Sequence, residues 1–196
     1  MFKRHSALTE VLKTDRAARQ TERLRIGESP DFSLVQVSAF PDTLPSLEKS
    51  LDQVAGIHVP SQVGMTVSHR EGRVFKVGPE RFWIVSHDAQ LDSRVQDAVP
   101  EEVGSLLSLS NGFTRVFLEG EGSREVLATG IAIDLHTNIF PAEAFALTEL
   151  QHTSVLLHRV SVARYELYVP STFALWIWDW LTDAIVPFEF RDSIQN

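Results

Sequence analysis

The chain has 196 residues, of which 43% are hydrophobic and 22% are charged, a balance typical of a globular protein with a sizeable core. Its formal charge of −8 argues against binding to nucleic acid or to an anionic membrane surface, since both attract clustered Lys and Arg. The absence of cysteine excludes disulfides and thiolate metal sites, and no apolar run reaches the roughly 20 residues that span a bilayer. Because residues 1–20 also lack the apolar core of a secretory signal, we expect a cytoplasmic protein.

Residues 1–25 are predicted to form an N-terminal arm, and residues 26–196 a single duplicated domain. Leu8, Val11 and Leu12 can line one short helix, but Lys and Arg dominate the rest of the arm. Two interpretations stay open: a partly ordered arm, or a docking segment that becomes ordered on a partner.

Residues 32–98 alternate between strand and helix signals. Residues 32–39 favour a strand, and a helix follows in which Thr43 is the predicted cap, Pro45 lies in the first turn and Gly56 marks the end. Strands are then predicted over residues 65–69, 73–77 and 81–86. A helix over residues 88–98 ends before Pro100.

Residues 108–136 form the central segment of the chain, and they predict a strand, a glycine turn and a helix. Ser123 is the expected helix cap, and Gly130 is expected to end the helix in the left-handed conformation that glycine tolerates. Asp134 interrupts the apolar run that follows. A carboxylate in such a run is expected to accept backbone or partner hydrogen bonds, so we assign Gly130 and Asp134 structural roles rather than catalytic ones.

The two halves of the chain resemble each other. A Phe-Ser-x-Val start at residues 32–35 matches Phe-Thr-x-Val at residues 113–116, and Arg81-Phe82 matches Arg164-Tyr165 at the start of a later strand. Further strands are predicted over residues 145–150, 153–160 and 164–169, before a closing helix. The pattern predicts an α+β fold in which two ferredoxin-like β-α-β-β-α-β halves, about residues 30–110 and 111–185, pack together.

Known chemical motifs are missing from the sequence. The seven histidines form no i, i+4 pair and no HExxH arrangement, and there is no GxSxG elbow. The run of residues 119–122 (EGEG) before a helix has neither a Walker lysine nor a complete GxGxxG, and its glutamates would repel a phosphate. We therefore predict no catalytic, cofactor-binding or metal-ligating residue in this chain.

Several runs, in order, resemble a known family. They are residues 77–85 (VGPERFWIV), 117–120 (FLEG), 129–136 (TGIAIDLH), 165–171 (YELYVPS) and 178–181 (WDWL). Together they are similar to the gamma subunit of heterotetrameric sarcosine oxidase, over roughly residues 70–185. One departure is Glu143, where the resemblance predicts glycine.

The resemblance implies a fold similar to the folate-binding domain of aminomethyltransferase, and a noncatalytic role beside alpha, beta and delta subunits. It implies a complex that oxidises the N-methyl group of sarcosine to give glycine, a one-carbon unit and hydrogen peroxide. FAD, FMN, NAD and tetrahydrofolate would be held by other subunits, and a small zinc-binding subunit would complete the assembly. Two alternatives remain: the same subunit in a complex for another N-methyl amino acid, or a free-standing folate-binding or folate-dependent protein.

The closing helix is rich in aromatic residues, and its periodicity predicts a core face and a partner face. The core face is predicted to contain Phe173, Trp176, Ile177, Trp180, Leu181 and Ala184. Leu175, Trp178 and Ile185 fall on the other side, where a soluble monomer normally places polar residues. We therefore expect Trp178, with Leu175 and Ile185, to contact a partner subunit, and Trp180 to pack in the core.

Overall fold

The computed structural model describes residues 6–13, 23–69 and 72–188, in two compact units. The middle unit contains residues 31–110, and the terminal unit combines the described residues before Asp31 with those from Asn111 onwards. In chain order the elements are α1 (Thr9–Lys13), β1 (Arg25–Glu28), β2 (Ser33–Ala39), α2 (Leu44–Ser50), β3 (Thr66–His69), β4 (Gly72–Gly78), β5 (Arg81–Ser86), α3 (Leu91–Ala98), β6 (Gly104–Ser108), β7 (Phe113–Glu119), α4 (Ser123–Ala128), β8 (Phe145–Leu150), β9 (Thr153–Ser161), β10 (Arg164–Pro170) and α5 (Ala174–Ala184).

The middle unit is a five-stranded antiparallel sheet in the order β3-β4-β5-β2-β6, with α2 and α3 packed against the sheet. A wider π-helical turn, Leu51–Ala55, continues α2 and ends at Gly56, whose φ of 65° confirms the predicted glycine stop. In α3, Leu91, Val95 and Ala98 recur at helical spacing and are buried. The core of the unit consists of these side chains, the α2 leucines and the inward residues of β2, β4 and β5.

The terminal unit repeats this plan, with the strand order β1-β7-β10-β9-β8 and with α4 and α5 beside the sheet. Strands β7, β10, β9 and β8 correspond to β2, β5, β4 and β3. The position that β6 fills beside β2 is filled beside β7 by β1, from the other end of the chain. The predicted α+β fold of two ferredoxin-like halves is therefore confirmed, and each sheet carries one additional edge strand, β3 or β8.

The N-terminal segment contributes to the terminal unit. Leu8 is buried in its core, with Val11 and Leu12 packed alongside on α1. Leu24 is buried in the same core and Arg25 begins β1. Residues 1–5 and 14–22 lie outside the described residues, so the prediction of an arm over residues 1–25 stays a prediction. No helix in the described part of the chain is both long and apolar enough to cross a membrane.

Two predicted helix caps do not act as caps. Ser123 is the first residue of α4, and its hydroxyl donates to the carbonyl of Ala163 at 3.4 Å instead of accepting from the helix. Thr43 precedes α2 as predicted, but its hydroxyl donates to the carbonyl oxygens of Phe40 and Val103. In both places a serine or threonine connects two segments of the chain, and the cap prediction was wrong in its chemistry.

Candidate functional site

The inner face of α5 differs from the predicted one. Trp178 and Ile185 are both 0% exposed and belong to the core of the terminal unit, so the prediction that they face a partner is wrong. The buried stripe is Ala174, Ile177, Trp178, Leu181 and Ile185, at i, i+3, i+4, i+7 and i+11. Because α5 is apolar on both sides, its periodicity is equally compatible with either face being buried.

The outer face of α5 carries Phe173 and Trp176, which were expected inside, and Leu175, which was expected outside. Phe173, Leu175 and Trp176 are 50%, 47% and 45% exposed. We call these three residues the α5 apolar surface. Trp180, which was predicted to lie in the core, packs against the core of the terminal unit but is only partly buried. Leu175 is exposed as a partner contact requires, and its contact with a partner remains a prediction.

Glycine is needed at position 130 for a reason that differs from the expected one. Gly130 is not among the glycines with positive φ, and α4 ends at Ala128 with Thr129 in a right-handed conformation. A Cβ at position 130 would instead lie 2.6 Å from Cζ2 of Trp180 and 2.8 Å from Cδ1 of Leu150. Glycine is required because an indole ring packs directly on the backbone, and the left-handed prediction was wrong.

Asp134 is exposed, and its Oδ1 accepts a hydrogen bond from the backbone N–H of His136 at 2.8 Å. The bond closes a tight turn in the long connection between α4 and β8. The predicted acceptance of a backbone hydrogen bond is confirmed, while a wider role of Asp134 in stability or assembly stays a prediction.

Arg159 holds that connection in place, and sequence reasoning missed it. The side chain is buried, and its guanidinium donates to the carbonyls of Phe140 at 2.6 Å and Val162 at 3.0 Å. It also donates to the Thr137 hydroxyl and to the Ser161 carbonyl, both at 3.3 Å. The fork of donors therefore ties the α4–β8 connection to the β9–β10 turn. A single arginine in a strand carries no sequence signal of this role.

One face of the terminal sheet carries alternating charged and aromatic residues. The ring of Phe117 on β7 lies 4.9 Å from the guanidinium of Arg25 and 4.5 Å from that of Arg164. Arg164 also lies 3.3 Å from Glu119 and 3.4 Å from Glu166. Each of these carboxylates faces a guanidinium, an arrangement that favours cross-strand stabilisation over proton transfer.

The glycine turn before α4 is filled by the chain itself. Gly120 has a φ of 122°, and a Cβ there would lie 2.2 Å from the carbonyl oxygen of Arg23. At Gly122, a Cβ would lie 2.9 Å from the ring of Phe188. Both glycines make room for protein atoms, so the residues at this turn do not fit a bound phosphate.

In the part of the chain that the structure describes, two ionisable groups have pKa values displaced by their surroundings. Burial raises the pKa of Tyr165, and the nearby charge of Arg159 partly opposes that shift. The backbone N–H of Gln90 and the side chain of Arg94 lower the pKa of Asp88. Across residues 6–13, 23–69 and 72–188, no three His, Asp or Glu side chains converge as a metal-ligand set would.

Comparison with known sequences identifies one family. The model for the "Sarcosine oxidase, gamma subunit family" matches residues 41–187. The sarcosine oxidase subunit gamma of Corynebacterium sp. strain P-1 is 28% identical over 141 residues, which cover 71% of this chain and 70% of that protein. The protein of the same name from strain U-96 is 29% identical over 142 residues, covering 71% and 69%.

Comparison with solved structures extends the likeness to the fold. A chain of heterotetrameric sarcosine oxidase from Corynebacterium sp. U-96, solved in complex with pyrrole 2-carboxylate, superposes with a TM-score of 0.85 and 24% identity. The match covers 95% of this chain and 96% of that one. Aminomethyltransferase T of the glycine cleavage system from Bartonella henselae gives a TM-score of 0.60 at 17% identity, over 89% of this chain and 48% of the enzyme.

Proposed function

Because the chain belongs to the sarcosine oxidase, gamma subunit family, we propose that it is the noncatalytic gamma subunit of a heterotetrameric sarcosine oxidase complex. The observation that carries the proposal is the family match, which runs over residues 41–187 and so includes parts of both units. The alpha, beta and delta subunits are its proposed partners. The complex would oxidatively demethylate sarcosine to glycine, a one-carbon unit and hydrogen peroxide.

The described side chains support a structural role within that complex. Glu119 and Glu166 face Arg164, and the glycine turn at Gly120 is occupied by the backbone of Arg23. These arrangements use charged groups and glycines for packing. In the proposed complex FAD, FMN, NAD and tetrahydrofolate are held by the other subunits, and this chain supplies a folded surface on which they assemble.

Coexpression with the alpha, beta and delta subunits tests the proposal. Purification through a tag on this chain should recover all four chains, with hydrogen peroxide formed when sarcosine is added. The chain purified alone should be colourless and should form no hydrogen peroxide. Failure of the four chains to copurify contradicts the proposal, and so does a stoichiometric flavin band in the lone chain.

Two further measurements separate the alternatives. A panel of N-methyl amino acids offered to the complex should give the highest kcat/KM for sarcosine; a clear preference for another member would change the substrate but keep the subunit role. Calorimetric titration of the lone chain with tetrahydrofolate should show no saturable binding. Binding in the micromolar range would favour a folate-binding protein of this fold.

A further inference from the structure

The exposed face of α5 is apolar at its start and acidic towards its end. Leu175 and Trp176 lie at its start, and Asp179 and Asp183 lie one and two turns later on the same side. We propose that this face binds a partner subunit through an apolar recess that receives Trp176 and a Lys or Arg that pairs with Asp183. The inference rests on the proposed role as a subunit of a larger complex.

The apolar half of this face is costly to leave in water. The three residues of the α5 apolar surface are each about half exposed, so about half of the roughly 150–250 Å² that an aromatic side chain can bury is still in contact with water. Phe173, Trp176 and Trp180 also follow one another at intervals of three and four residues, so their rings lie along one side of the helix. Large rigid aromatic groups of this kind are the usual anchors of protein interfaces.

Asp183, at the acidic end of this face, is also unfavourably placed among the described residues. The carbonyl end of a helix carries a partial negative charge, which repels a carboxylate in the last turn. Asp183 lies in the last turn of α5, and no basic residue is present there. Among the residues that the structure describes, no Lys or Arg forms an ion pair with Asp183. A Lys or Arg of a partner would relieve the repulsion.

The charge pattern favours a different subunit over a second copy of this chain. Between Ala174 and Ala184 the helix contains two aspartates and no Lys, Arg or His. A second copy that used the same face would add two carboxylates and offer no cation from its α5. A partner with a basic group beside an apolar recess is complementary to both halves of the face.

Assembly of the complete complex from matched variants tests the proposal. Trp176→Ala and Asp183→Lys would each be coexpressed with the alpha, beta and delta subunits, beside Leu147→Ala and Asp97→Lys as controls. Leu147 is an exposed apolar residue on β8, and Asp97 is an exposed carboxylate in the last turn of α3. The readout is the amount of this chain recovered per complex, with the thermal unfolding of each lone variant measured alongside.

We expect Trp176→Ala to weaken assembly by about 30-fold, as for the truncation of an interface anchor, with the lone chain still folded at the temperature of the assay. Asp183→Lys should weaken it by about 10-fold or more, while both controls stay within about twofold of the wild type. Recovery of Trp176→Ala at the wild-type level overturns the proposal. If wild-type chain itself fails to copurify, the proposed function fails, and not this surface alone.

Hydroxyl-radical footprinting of the wild-type chain provides a second readout that depends on no variant. Oxidation of Trp176 should fall about fivefold or more between the lone chain and the complex, as burial removes an exposed anchor from solvent. Equal oxidation in both states overturns the proposal. Dimerisation of the lone chain through Trp176 also overturns the proposal if assembly into the complex is unaffected. It would appear as a dimeric molar mass for the wild-type chain and a monomeric one for Trp176→Ala.

Discussion

The indole of Trp180 packs against the backbone of Gly130, so closely that a Cβ at position 130 would lie 2.6 Å from Cζ2 of the ring and 2.7 Å from Cη2. The contact joins the segment after α4 to the outer side of α5. It explains why a glycine follows α4 although its backbone conformation does not require one. It also accounts for the partial burial of Trp180 beside the exposed Trp176.

Gly130→Ala should destabilise the chain by about 1–3 kcal/mol, because the added methyl group overpacks the contact with Trp180 and Leu150. Denaturant unfolding of the two proteins measures the difference. The matched control is Gly78→Ala, because a Cβ at position 78 would lie at an ordinary 3.5 Å from Arg81. In a Trp180→Leu background the cost of Gly130→Ala should fall by more than half. An unchanged cost there would exclude the indole as its cause.

Strands with strong local signals were predicted well. Residues 81–86 and 145–150 are strands with the predicted limits. In residues 81–86 four consecutive β-branched or aromatic residues make the strand signal strong. By contrast β1, with the sequence RIGE, was missed. It is short and contains glycine, and its place in the sheet depends on pairing with β7, about ninety residues along the chain. Such non-local pairing leaves little trace in the strand's own residues.

The candidate surface could be predicted only in part. Leu175 was placed outside correctly, whereas Trp178 and Ile185 proved to be core residues. Helix α5 has apolar residues on both of its sides, so its hydrophobic pattern does not determine which side is buried. The packing of neighbouring elements determines it. The role of Arg159 could not be predicted for a related reason, since three of its four acceptors are backbone carbonyls placed by the folded loops.

The two tryptophans of α5 at positions 176 and 178 should respond differently to truncation in the lone chain. Trp178→Ala removes a fully buried side chain and should lower the free energy of unfolding by about 3–5 kcal/mol. Trp176→Ala truncates a side chain that is already half exposed and should lower it by only about 1 kcal/mol. Urea unfolding followed by far-UV circular dichroism measures both. Equal losses would contradict the orientation of α5.

Asp88 should make the stability depend on acid pH. Its carboxylate accepts from the backbone N–H of Gln90 and pairs with Arg94, so its pKa is lower in the folded chain than in the unfolded one. The contribution is therefore complete above the ordinary carboxyl pKa and is lost as the pH falls through that value to the folded pKa. Unfolding of wild type and Asp88→Asn between pH 7 and pH 2 measures this. The wild-type advantage should shrink as the pH falls below about 4; an advantage that is constant over the range would contradict the assignment.

Arg159 should be the most demanding of the arginines to replace. Arg159→Met keeps the apolar stem but leaves the carbonyls of Phe140, Ser161 and Val162 without this donor. The bond to Phe140 is buried, and an unsatisfied buried acceptor costs about 1–3 kcal/mol, to which the loss of the two partly buried bonds adds. We expect a loss of about 3 kcal/mol or more in the free energy of unfolding. Arg159→Lys should recover only a minor part of this stability, because an ammonium lacks the planar fork of donors with which the guanidinium reaches acceptors on both loops. Arg124→Met, at an exposed position on α4, is the control and should stay within about 0.5 kcal/mol of the wild type.

Hydrogen exchange adds a local test: in Arg159→Met the amides of the α4–β8 connection and the β9–β10 turn should lose protection together. Loss in only one of the two segments would show that Arg159 does not couple them.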